Sequence, residues 1–131
     1  MRDRNIEVVE MHNLLTDVVQ NPEALKWILD RKTSANQVGI GLAQELRSWL
    51  EGQEPRKLAE YLIGGVSGAD LAANGASELG KIFNDFIGES SFILPPLPNT
   101  QFTRDNSCWI YGGVVLSPMY WPARRQETLL M

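Results

Sequence analysis

Hydrophobic and polar positions divide the chain into a long helix-patterned block and a shorter strand-patterned tail. The opening run Ile6-Glu7-Val8-Val9 is β-branched and apolar and predicts a strand. From Met11 the period becomes helical, with Leu14/Val18 and Leu15/Val19 as i,i+4 pairs on one face. Asn21-Pro22 closes that helix and opens the next, Asn21 as N-cap and Pro22 at the first helical position. Leu25, Ile28 and Leu29 stripe the second helix. Leu42, Leu46, Trp49 and Leu50 stripe a third, which ends at Gly52. Glu54-Pro55 starts a fourth, with Leu58 and Leu62 facing inward and Arg56/Glu60 spaced to pair outward; Gly64-Gly65 ends it. Val66 to Gly75 is loose and small-residue-rich, with room for one helical turn around Ala69 to Leu71. Leu79, Ile82, Phe83, Phe86 and Ile87 then make the clearest stripe, closed by Gly88. Residues 11–89 therefore predict a bundle of four to five short helices.

After Gly88 the pattern turns to strand. Ser91-Phe92-Ile93-Leu94 is short and apolar, and Pro95, Pro96 and Pro98 force an extended, stiff approach to Asn99. Cys108–Tyr111 and Val114–Leu116 flank Gly112-Gly113, a hairpin signal because primed turns need positive φ. Pro118 ends the second strand, and Pro122 predicts the start of a further helix.

Composition adds little to this picture but removes several classes. At 131 residues, 44% hydrophobic and 21% charged, the chain has the length of one ordinary globular domain. A net charge of -4 argues against general nucleic-acid binding. No apolar run reaches the roughly 20 residues of a membrane span, and Met1-Arg2-Asp3-Arg4 does not lead into a signal peptide. Cys108 is the sole cysteine, which fits a reducing compartment, and we expect a cytoplasmic protein. Trp27 and Trp49 read as core or subunit-contact residues, His12 as a helix-start or surface residue, and the Lys and Glu of the helices as solvated faces.

The committed chemistry lies between Leu94 and Glu127. Asp105 follows a stiff approach and precedes a hairpin, where a loop can aim its carboxylate at a pocket. A carboxylate meets a planar guanidinium in a two-point fork. Arg124 or Arg125 can hold a carboxylate, and Asn99 can donate to one. One acid and one basic group at opposite ends suit an amino acid with a cationic side chain. The alternative is a structural ion pair between Asp105 and Arg104 or another nearby arginine.

The run P-L-P-N-T-Q-F-T-R-D, the W-I-Y-G-G-V that follows and the R-R-Q-E-T resemble arginine deiminase of the bacterial type. The F-T-R-D element is similar to one shared across guanidino-modifying enzymes of the pentein superfamily. N-P-E-A-L-K-W-I-L-D-R-K and E-P-R-K-L-A-E-Y-L-I-G-G resemble the helical insertion of arginine deiminases, so the likeness runs through essentially the whole chain. It implies an α/β fold: partial pentein (α/β-propeller) core strands at 1–10 and 90–131 around an inserted helical bundle at 11–89. It also implies hydrolysis of L-arginine to L-citrulline and ammonia through a covalent amidino-thioether on a cysteine, with no metal and no cofactor. By the same resemblance, Asp105 holds the substrate guanidinium and takes part in proton transfer, Phe102 lines the pocket, and Asn99 and Arg124 hold the α-carboxylate. A homo-oligomer is implied for the complete enzyme.

The family's glycine-rich G-G-x-x-C-M segment with its nucleophile, its H-x-D histidine and its E-G-G-D glutamate have no counterpart in this sequence. Cys108 lies in an apolar strand with no adjacent cation, the setting of a packed thiol and not of a nucleophile. The chain thus reads as an internal fragment carrying the guanidinium clamp, inactive alone. Other expectations are a non-catalytic helical interaction module, or a piece of a dimethylarginine hydrolase or amidinotransferase.

Overall fold

Asn21 sets the first corner of the fold. Its Oδ1 accepts from the backbone N–H of Glu23 at 2.9 Å and of Ala24 at 3.3 Å, and Pro22 occupies the first helical position. The computed structural model describes residues 2–34, 38–73, 81, 85, 88, 91–102 and 104–130. Among these, α1 (Met11–Val18), α2 (Pro22–Lys32), α3 (Ile40–Glu51) and α4 (Pro55–Gly64) follow the predicted stripes. The stripe from Leu79 to Ile87 lies outside the described residues.

The helices bury one face each. Leu15 and Val19, Ile28 and Leu29, Leu46 and Leu50, and Leu58 and Leu62 join one core with Val66, Leu71, Ile93 and Leu94. Burial of such side chains is the main force holding the helices together. Helix α1 packs on α4, and His12 Nε2 donates to the Arg56 carbonyl at 3.1 Å across that contact, which confirms a structural use for the single histidine. Trp49 packs against the core with its ring centroid 4.9 Å from that of Tyr61. Trp27 is 45% exposed beneath the Arg31 guanidinium, so it is a surface residue and not core.

Lys32 departs from the solvated-face expectation. It ends α2 at 1% exposure, and burial pushes its amine down to about 8. The outward pair on α4 is Lys57 with Glu60 at 2.8 Å, one residue closer in sequence than the Arg56/Glu60 spacing predicted.

Helix α4 stops at Gly65, whose φ of +84° turns the chain into β1 (Val66–Ser67) and then α5 (Gly68–Ala73). Strand β1 pairs antiparallel with β2 (Phe92–Leu94), a long-range pairing absent from the sequence reading. A Cβ on Gly65 would stand 2.5 Å from the Leu94 carbonyl oxygen, so the close approach of β2 requires glycine. The second sheet is the hairpin of β3 (Ser107–Ile110) and β4 (Gly113–Leu116), in the register Cys108↔Val115 and Ile110↔Gly113. The two-residue turn is therefore Tyr111-Gly112, not Gly112-Gly113, and the positive φ falls on Tyr111 at +52°.

No strand forms at Ile6–Val9. These residues follow a 3₁₀ turn at Arg2–Arg4, pair with no strand among the described residues, and stay exposed at Ile6, Val8 and Val9. Pro122 opens a 3₁₀ turn (Pro122–Arg124), followed by another at Thr128–Leu130. Helices and two small antiparallel sheets mix in a way compatible with the α/β class. No helix among the described residues is long and apolar enough to cross a membrane.

Candidate functional site

The proline approach is anchored at Leu97, which is buried and donates its N–H to the Ile63 carbonyl at the end of α4, 2.8 Å away. Beyond it the chain advances in three-residue turns. Phe102 N–H donates to the Asn99 carbonyl at 3.3 Å, and Asp105 N–H to the Phe102 carbonyl at 3.4 Å. The loop then dives inward at Asn106, which is fully buried. The Asn106 carbonyl accepts from Ser117 N–H at 2.9 Å and closes the base of the β3–β4 hairpin.

The second wall comes from the end of the chain. The turn at Pro122–Arg124 continues through Glu127, whose N–H donates to the Arg124 carbonyl at 3.0 Å. Thr128 Oγ1 donates to the Ser117 carbonyl at 3.0 Å and ties this segment to the same hairpin base. The Asp105 loop and the Arg124 turn thus meet at one point.

There the Arg124 guanidinium lies between two carboxylates. Glu127, fully buried, accepts from Arg124 Nε at 3.1 and 3.0 Å and from Nη2 at 2.8 Å. Asp105 Oδ2 accepts from Nη1 at 3.0 Å. Asn106 Nδ2 donates to Glu127 Oε2 at 3.4 Å. The Glu127 carboxylate, and after it Asp105, hold the Arg124 guanidinium above its ordinary pKa, against an opposing effect of desolvation. A buried carboxylate is costly without a partner, so the Arg124–Glu127 fork is the fixed half of the cluster. The Asp105 side chain is 48% exposed and, among the described residues, its carboxylate has one partner, Arg124, so it is the exchangeable half.

Of the residues singled out by sequence, Asp105 and Arg124 are brought into direct contact. The partner of Asp105 is Arg124 and not Arg104. Asn99 is half-buried and Phe102 exposed; both sit on the turn series that leads to Asp105, and no hydrogen bond among the described residues joins the Asn99 side chain to Asp105 or Arg124. Thr103, the middle of F-T-R-D, lies outside the described residues. Glu127 and Asn106 escaped the sequence reading. The i,i+3 spacing of Arg124 and Glu127 in R-R-Q-E was the available signal for one of them.

Cys108 is exposed, not packed. Strands β3 and β4 stand as a two-stranded sheet with outward side chains on both faces, Trp109, Ile110 and Val115 all more than half exposed, so the thiol has no layer to pack under. An apolar groove of about 1030 Å³ runs between α1, α2 and this hairpin, with Leu14, Trp27, Trp109 and Leu130 in its lining; Arg104 and Cys108 line it, whereas Asp105 and Arg124 do not. Among the described residues no group of three His, Cys, Asp or Glu is gathered as a metal site.

The extended approach and the half-exposed acid stand where the sequence puts them, and Asp105 pairs with Arg124 in the ion pair that the sequence left open as the alternative to ligand binding. The arginine deiminase family model matches residues 1–131, and the chain belongs to that family.

Proposed function

We propose that this chain supplies the guanidinium-recognising part of an enzyme that hydrolyses L-arginine to L-citrulline and ammonia. The fold we infer is a partial pentein α/β-propeller core, with residues 11–89 as its helical insertion. One observation carries the reading: the half-exposed Asp105 carboxylate already holds a guanidinium, that of Arg124, at 3.0 Å.

In this reading Asp105 takes the substrate guanidinium, Phe102 lines the pocket beside it, and Arg124 and Asn99 hold the α-carboxylate. The guanidinium and the α-carboxylate of L-arginine supply one group for each member of the Asp105–Arg124 pair, so its entry exchanges one ion pair for two. Standard bond lengths put the carboxylate and guanidinium carbons of an extended arginine about 7.5 Å apart, so Asp105 and Arg124 separate when it binds. Arg124 is fixed by buried Glu127, and the Asp105 loop, held by turns of 3.3 and 3.4 Å, is the part that moves.

Cleaving the guanidino C–N bond requires a nucleophile at the same carbon. Cys108 is the chain's sole thiol, and no hydrogen bond among the described residues joins it to Asp105 or Arg124. We therefore expect the purified chain to bind L-arginine and not to turn it over. Citrulline formation by the chain, abolished by Cys108→Ser, would overturn that expectation.

The uncovered hairpin and the apolar groove support a second reading, in which this chain is an interaction module that joins other subunits. A chain that remains monomeric at high concentration in sedimentation would count against it.

A further inference from the structure

Arg124 has five N–H donors, and the structure accounts for three of them. Glu127 takes Nε–H and one hydrogen of Nη2, and Asp105 takes one hydrogen of Nη1. Among the described residues one N–H remains on each terminal nitrogen, and once Asp105 is displaced the Nη1/Nη2 end offers a carboxylate a two-point fork.

We propose that Glu127, steadied by Asn106, is a positioning residue that decides which edge of Arg124 faces the substrate; the proposal rests on Arg124 being the carboxylate anchor. Glu127 is fully buried, its backbone is tied to Arg124, and the neighbouring Thr128 is tied to the hairpin base, so its carboxylate has one place to be. Asn106, also fully buried, donates to the oxygen that Nη2 uses. By occupying the Nε edge, Glu127 closes the side-on fork of Arg124 to any other carboxylate and leaves the Nη1/Nη2 end as the face open to Asp105 or to a substrate. It also gives the cluster two carboxylates to one guanidinium, a net negative charge that favours an incoming guanidinium. Without Glu127 the Nε edge would be open as well, and Arg124 would be free to turn a side-on fork onto Asp105 and occupy the acid needed for the substrate.

The test compares binding of L-arginine with that of agmatine, the same molecule without its carboxylate, by titration calorimetry. The parent chain should favour L-arginine by about tenfold or more, the value of one charge-assisted fork. Glu127→Gln, the isosteric uncharged variant, should lose that preference, and its Arg124 Nε–H resonance should shift. Glu127→Asp, which keeps the charge, should retain part of the preference. A parent that does not distinguish the two ligands, or binds neither, overturns the anchor reading and the proposal together. A parent that prefers L-arginine and a folded Glu127→Gln that prefers it equally overturn the proposal alone. If Glu127→Gln does not fold, a full parental preference in Glu127→Asp with an unmoved Nε–H resonance overturns it.

Discussion

Lys32 is a buried cation, and replacing it should stabilise the protein. It sits at the end of α2 at 1% exposure, and among the described residues no carboxylate pairs with it. Burial holds its amine at about 8 instead of 10.5, which corresponds to about 3 kcal/mol of penalty on the charged form. In the unfolded chain the amine stays protonated up to its ordinary value. Between pH 8 and 10.5 the unfolded state therefore binds more protons than the folded state, and stability rises with pH across that window. Below pH 8 both states carry the proton and the full penalty applies. Lys32→Met keeps the length and apolar stem and removes the charge, so at pH 7 it should gain up to about 3 kcal/mol. Urea unfolding of parent and variant at pH 7, 8, 9 and 10.5, followed by tryptophan fluorescence, measures the gap directly. The gap should be largest at pH 7 and close toward pH 10.5. A less stable variant at pH 7, or a gap that does not change between pH 8 and 10.5, would refute the reasoning.

Gly65→Ala should cost about 2 kcal/mol or more, because a side chain there meets a φ of +84° and the Leu94 carbonyl at 2.5 Å; thermal melts would show it. Asn21→Ala removes the two bonds that cap α2 and should cost about 1 kcal/mol in the same assay, with Asn21→Ser recovering most of it. Tyr111→Gly relieves a positive φ on a fully exposed side chain and should stabilise the hairpin by about 1 kcal/mol, read as slower amide exchange in β3 and β4.

What could be read in the sequence is what local physics decides. The i,i+4 stripes of α1 to α4, the Asn21-Pro22 cap and the glycine stop at Gly65 depend on neighbours a few residues away, and each appears where the pattern puts it. The pairing of β1 with β2 joins Val66 to Leu94, and no local pattern encodes so distant a partner. Ile6–Val9 shows the converse: β-branched residues are not a strand until a second strand bonds to them. Lys32 escaped notice because charge predicts exposure, and only packing reveals which long side chain is enclosed. At the site, Asp105 and Arg124 stood out by residue type and resemblance. Their mutual contact, and the role of Glu127 in it, depend on how the end of the chain folds back onto the hairpin base.

The central claim is that Asp105 is a guanidinium clamp, and the affinity of Asp105→Asn for L-arginine tests it most directly. Asparagine keeps the shape and removes the charge that makes the contact strong. Titration of the parent chain should give saturable binding, and the variant should bind about tenfold to a hundredfold more weakly with an unchanged melting temperature. An Asp105→Asn chain that melts like the parent and binds L-arginine equally well would contradict the claim.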